Sequence, residues 1–118
     1  MSGQALRTLQ QRLAAFAAAR DWDQFHSPKN LAMALSVEAA ELVEEFQWLT
    51  EEQSRQLDSE RRERVRLELA DVFIYLLRMA DTLGVDLLRA ADDKIVLNEQ
   101  KYPAERVRGD ARKYTDYD

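Results

Sequence analysis

Nearly all the helix-breaking capacity of this 118-residue chain sits in five residues: Pro28, Gly84 and Pro103, with Gly3 and Gly109 near the ends. Proline cannot continue a helix past its first turn, and glycine readily adopts the left-handed conformation that ends one. Between these stops, apolar residues recur at three- and four-residue spacing, the period of an amphipathic helix. Leu6, Leu9, Leu13 and Phe16 predict a first helix over residues 4–20. Leu31, Leu35, Leu42 and Phe46 predict a second from residue 28 to about 48, with Ser27 as N-cap and Pro28 at the first helical position. A polar connection over 50–58 contains Thr50 and Gln53, the spacing of a capping box. A third helix over 59–83 stops at Gly84. Asp86 can cap a fourth over 87–101, which Tyr102-Pro103 ends. β-branched residues are few and no segment alternates for long with period two, so no strand competes.

The expected fold class is therefore all-α, an antiparallel four-helix bundle over residues 1–103. Residues 104–118 read as a polar tail that orders only when something binds it. Ala32, Met33, Ala34, Leu35, Val37, Ala39 and Ala40 make the second helix apolar over a wide arc. That arc points to a homo-oligomer, a dimer or tetramer, although alanine also serves simply as helix filler.

Composition removes many chemistries. The chain has no cysteine and one histidine. Disulfides, zinc–thiolate sites, iron–sulfur clusters, thiol nucleophiles and His-rich metal sites are excluded together. Acids outnumber bases 22 to 17, a formal net charge of -5, which argues against nucleic acid as a partner. No long apolar run suggests a membrane span or an export signal, so a soluble, cytoplasmic protein is expected. Chemistry must come from carboxylates, hydroxyls, amines and aromatics.

The carboxylates are patterned. Glu38 and Glu41 stand three apart on the second helix, and Glu68 and Asp71 three apart on the third. Residues at that spacing share a helix face. Leu42 and Phe46 follow Glu38 at +4 and +8, as Val72 and Leu76 follow Glu68, so both pairs lie beside a buried stripe. If the two helices pack antiparallel, four carboxylates converge at a partly buried point. Either some are protonated or a hard cation sits among them. Oxygen-only ligation selects Mg²⁺, Mn²⁺ or Ca²⁺. A solvated acidic face, the reading given to Glu44, Glu45, Glu51 and Glu52, is the plain alternative. Neutralisation by Arg61, Arg62, Arg64 and Arg66 is another.

Glu38-x-x-Glu41, 26 intervening residues and Glu68-x-x-Asp71 resemble the signature of the all-α nucleoside triphosphate pyrophosphohydrolases, the MazG-like group. The resemblance extends to the dCTP pyrophosphatase branch through Asp21-Trp22-Asp23-Gln24-Phe25-His26, Pro28-Lys29-Asn30-Leu31, Glu44-Glu45-Phe46-Gln47-Trp48 and Asp71-Val72-Phe73-Ile74-Tyr75-Leu76. It continues through Lys94-Ile95, Asn98, Lys101-Tyr102-Pro103 and Arg112-Lys113-Tyr114.

The resemblance implies Mg²⁺, with Mn²⁺ as a substitute, held by Glu38, Glu41, Glu68 and Asp71. It implies hydrolysis of a nucleoside triphosphate between the α and β phosphates, on dCTP or a modified dCTP, in cleansing the nucleotide pool. Either Glu38 or Glu41 would serve as general base. Trp22, Trp48 and Tyr75 would wall a base pocket, with His26 nearby, although aromatics of this kind also fill ordinary cores and His26 also suits a helix-entry contact. Lys94, Asn98 and Lys101, on one face of the last helix, would meet the triphosphate or sugar. Lys113 and Tyr114 belong to a block that would close over phosphates; a solvated face and a loose terminus are the plain alternatives. Leu13 departs from the family, which carries a histidine there, and this loosens the expected preference for cytosine. A broader (d)NTP pyrophosphatase and a non-catalytic helical interaction module stand as alternatives.

Overall fold

A computed structural model of the chain describes residues 2–113 and Thr115. All regular structure among them is helical: α1 (Gly3–Ala19), a 3-10 turn (Asp23–Phe25), α2 (Pro28–Glu44), α3 (Glu51–Ser54), α4 (Ser59–Leu83), α5 (Leu87–Lys101) and α6 (Ala104–Val107). The chain forms two compact units, one up to Val85 and one from Asp86 onward.

Local chemistry sets most of the boundaries. Ser27 Oγ accepts from the Asn30 backbone N–H at 3.2 Å, capping α2 ahead of Pro28. Thr50 and Gln53 form the reciprocal capping box of α3. Asp58 Oδ1 accepts from the Arg61 N–H at 2.7 Å and starts α4. At the other end of α4, Gly84 adopts φ 66°, and the Val85 N–H reaches back to the Ala80 carbonyl at 2.9 Å. A side chain at that φ clashes with its own backbone, so glycine is the residue that ends the helix cleanly.

The first unit is α1, α2 and α4 packed together. Glu45 at the end of α2 meets Arg61 and Arg64 near the start of α4, whereas His26, just before α2, meets Arg78 near the end of α4. The two helices are therefore antiparallel. The Gln10 side-chain amide donates to the Leu77 carbonyl at 3.3 Å and ties α1 to α4. Leu6, Ala17, Leu31, Val65, Leu77 and Ala80 make the buried core. Leu31 and Leu77 are its largest fully enclosed side chains.

The second helix is shorter than its apolar period predicts. It ends at Glu44, and the chain then turns through residues 45–49. The Leu49 N–H bonds to the Phe46 carbonyl instead of continuing the helical ladder, and the Glu45 carbonyl is taken by Arg61 Nη1. A donor from another helix thus satisfies a carbonyl that the next turn would have used.

In the second unit, Asp86 Oδ1 caps α5 by accepting from the Arg89 N–H at 3.1 Å. The Tyr102 N–H closes that helix onto Asn98, and Pro103 follows. The segment read as a tail opens with the helical turn α6. Beyond it Arg112 pairs with Asp110 at 2.7 Å.

Leu77→Ala should lower the free energy of unfolding by about 2–5 kcal/mol, because removing a fully buried leucine leaves a cavity. Urea denaturation measures it, and a loss below about 1 kcal/mol would show that the α1–α4 contact is not the core.

Candidate functional site

Antiparallel packing of α2 on α4 brings the two acidic pairs together. Glu38, Glu41, Glu68 and Asp71 each offer a carboxylate oxygen within 4.8 Å of the others. The first three are half-buried and Asp71 is exposed. The nearby arginines do not neutralise them. Arg61 and Arg64 pair with Glu45, Arg64 also with Glu60, and Arg66 with Glu63. Among the described residues no ion pair reaches any of the four acids.

Burial without cations raises their affinity for protons. Glu38 is pushed up to about 7, first by desolvation, then by its hydrogen bond to Glu41 and the charges of Glu41, Asp71 and Glu68. Glu68 is raised by desolvation and by Glu41 and Asp71. One oxygen of Glu38 and one of Glu68 are enclosed with no hydrogen-bond partner among the described residues. A buried carboxylate oxygen left unsatisfied is costly, and a hard cation is the ligand that satisfies several at once. The donor set, all oxygen, fits such an ion.

A cavity of about 310 Å³ adjoins the cluster, lined by Leu13, Phe16, Ala17, Trp22, His26, Asp71, Ile74, Tyr75 and Arg78. Asp71 belongs to both the cluster and the cavity. Tyr75 stands one turn beyond it on α4. Trp22 packs edge-on against Phe16 with ring centroids 5.7 Å apart, and lies tilted to His26 at 6.3 Å. His26 Nδ1 accepts from Arg78 Nε at 3.2 Å. Burial and the Arg78 charge lower its proton affinity, partly offset by Asp23.

Trp22, His26 and Tyr75 therefore stand together, and Leu13 lies in the cavity wall. Trp48 does not join them: it sits in the turn after α2, is 87% exposed and lies outside the cavity. The shortened α2 explains this, because Trp48 no longer continues its helical face. Lys94, Asn98 and Lys101 lie in the second unit along exposed positions of α5, and Lys113 is exposed beyond α6. Tyr114 falls outside the described residues. Sequence reasoning missed Phe16 and Arg78 as wall residues. Asp71, Ile74, Tyr75 and Arg78 recur at helical spacing, so the face was readable once Asp71 was placed.

An all-helical fold built around a carboxylate cluster, with an aromatic cavity at its side, defines the class of protein. The chain belongs to the MazG-like family, whose model it matches over residues 33–117. It is similar to dCTP pyrophosphatase 1 of Rattus norvegicus, at 48% identity over 105 residues, and to that of Homo sapiens, at 47%. Each alignment covers 87% of this chain and 62% of the relative, so the chain spans 62% of the length of these curated relatives. Among solved structures, a pyrophosphatase from Archaeoglobus fulgidus DSM 4304 matches with a TM-score of 0.79 and 38% identity. That match covers 84% of this chain and 93% of the archaeal one.

The raised affinity of Glu38 fixes the sign of a pH effect. Its ordinary value is 4.5 and its folded value about 7. Between these the folded chain holds a proton that the unfolded chain has released, so stability falls as pH rises through the window. A divalent cation must displace that proton, so its stabilising effect should grow with pH. Thermal melts with and without MgCl₂ or MnCl₂ at about pH 6 and about pH 8 test this. Equal metal-induced shifts at both pH values would count against these acids as the ligands.

Proposed function

We propose that this chain hydrolyses nucleoside triphosphates between the α and β phosphates, releasing a monophosphate and pyrophosphate. The observation that carries the reading is the sharing of Asp71 between the carboxylate cluster and the aromatic cavity. A nucleotide has the same two parts, a flat ring and a charged phosphate chain. Support also comes from the family and from relatives that bear the name dCTP pyrophosphatase.

Glu38, Glu41, Glu68 and Asp71 would hold Mg²⁺, or Mn²⁺ in its place. Such an ion, when bound, would supply Lewis acidity and make a water acidic enough to lose its proton and become a nucleophile. The chain's own contributions are positional. The α2–α4 pair holds the four ligands; Glu38 or Glu41 takes the water's proton. Trp22, His26 and Tyr75 enclose the base, which places its phosphates toward Asp71. Lys94, Asn98, Lys101, Lys113 and Tyr114 are proposed contacts for phosphates or sugar, and Trp48 for a substrate reached at the open side of the site. Residues 1–103 form the working domain, a four-helix bundle in a cytoplasmic enzyme that cleanses the nucleotide pool.

The base is dCTP's cytosine or a modified cytosine. A second reading, broader (d)NTP hydrolysis, is favoured by one observation: the apolar Leu13 in the cavity wall offers a base no hydrogen bond. No helix of the described residues is long and apolar enough to cross a membrane. Met33, Val37 and Val43 leave α2 with an exposed apolar face, Met33 being 58% exposed. We assign that face to self-association as a dimer or tetramer.

A panel of nucleotides with Mg²⁺ and product identification tests the reading. Monophosphate plus pyrophosphate is expected, with dCTP or a modified dCTP among the best substrates. Orthophosphate as the only inorganic product would exclude the proposed bond. Glu41→Gln and Asp71→Asn should each lower turnover by about 100-fold or more while circular dichroism stays helical. Activity retained in both would remove the site assignment.

A further inference from the structure

Arg78 is an arginine held largely inside the first unit, with its side chain only 12% exposed. Nη2 donates to Asp23 Oδ1 at 2.6 Å, Nη1 lies 3.8 Å from Asp81, and Nε donates to His26 Nδ1 at 3.2 Å. A guanidinium has donors only and does not deprotonate in proteins. The direction of its bond to His26 is therefore forced: Nδ1 is the acceptor and carries no proton. The one proton of the neutral imidazole is then on Nε2. Among the described residues Nε2 has no hydrogen-bond partner, while the ring itself lines the aromatic cavity beside Trp22. Asp71 and Tyr75 are the other ionisable groups lining that cavity, with Arg78 itself, and Asp23 flanks the imidazole through Arg78.

We infer that Arg78 is a positioning residue that holds His26 in its Nε2–H tautomer, so that the imidazole serves the cavity as a fixed hydrogen-bond donor. Such a donor favours a ring whose facing edge carries an acceptor, a carbonyl oxygen or an unprotonated ring nitrogen. Cytosine offers both side by side at O2 and N3. Uracil and thymine keep the O2 carbonyl but carry an N–H at position 3, so the donor discriminates against them where it faces N3, setting donor against donor. Arg78 thereby gives the wall a hydrogen-bonding preference that Leu13 cannot supply. The identity of the ring as a pyrimidine base rests on the proposed function; the tautomer does not.

The chain has one histidine, so its imidazole nitrogens can be observed alone by ¹⁵N-detected long-range correlation on the unliganded full chain. The expected spectrum shows an unprotonated Nδ1 and a protonated Nε2 in a single tautomer. In Arg78→Met both signals should move toward the tautomer-averaged position. In Asp23→Asn, which weakens the loop contact but keeps Arg78, they should stay. With dCTP, Arg78→Met should raise KM by about tenfold while kcat changes far less, and Arg78→Lys should recover part of the loss. A protonated Nδ1 in the parent chain would overturn the inference. So would an unchanged pattern in Arg78→Met, or a shift in Asp23→Asn as large as in Arg78→Met. The parent spectrum decides the tautomer even if Arg78→Met fails to fold. The expected NMR pattern in a chain that hydrolyses no nucleotide would support the positioning role and overturn the proposed substrate.

Discussion

Mutual repulsion among Glu38, Glu41, Glu68 and Asp71 is the constraint around which the first unit is built. Their ligand oxygens come within 4.8 Å of one another, three of the four groups are half-buried, and no cation of the described chain offsets them. Desolvation, then the hydrogen bond to Glu41 and the charges of Glu41, Asp71 and Glu68, push Glu38 up to about 7. The arginines that could have relieved the strain are used elsewhere. Arg61 and Arg64 clasp Glu45 where α2 ends, and Arg78 clasps Asp23 and His26 where the chain enters α2. The helix pair is stapled by cations at both ends and left anionic in the middle.

That distribution has a functional logic. Leu31, Leu77 and Val65 hold the helices together by apolar burial, so the central acids need not contribute to folding and are free to meet a ligand. Under the proposed function, a nucleotide bearing several negative charges would meet this negative site through a divalent cation. The net charge of -5 then ceases to argue against a phosphate substrate. Asp71 sets the geometry, because it faces both the cluster and the cavity. Four residues, little more than one helical turn, separate it from Tyr75, about 6 Å along the axis.

The sequence was most legible where one residue's neighbours in the chain decide its fate. The caps at Ser27, Thr50 and Asp86, and the stop at Gly84, are properties of short stretches, and the structure shows each in place. The paired acids were legible for a related reason: spacing of three puts two side chains on one face of any helix. The end of α2 was not legible. Its apolar period runs on to Phe46, but Arg61, sixteen residues away, takes the Glu45 carbonyl and turns the chain. Glu45, read as a solvated charge, is instead the anchor of that contact. The exposed position of Trp48 was not legible either, since its direction depends on where the helix stops. Helical spacing puts Arg78 on the face of Asp71 and Tyr75, but nothing local marks it as buried. An arginine on an amphipathic helix looks like surface charge until the loop bearing Asp23 and His26 folds over it.

The sequence by itself determined the four long helices apart from the end of α2, their polarity of face, the family, and the pairing of acids on two helix faces. These follow from period, capping and spacing, which act within a few residues. Tertiary structure alone decided that the two acidic faces meet, that no arginine neutralises them, that Asp71 turns toward an aromatic cavity, and that His26 presents one particular nitrogen to Arg78. The physical reason is that charge compensation and desolvation are set by what lies across the helix interface. Those partners, Glu45 with Arg61 and His26 with Arg78, are brought together only by antiparallel packing.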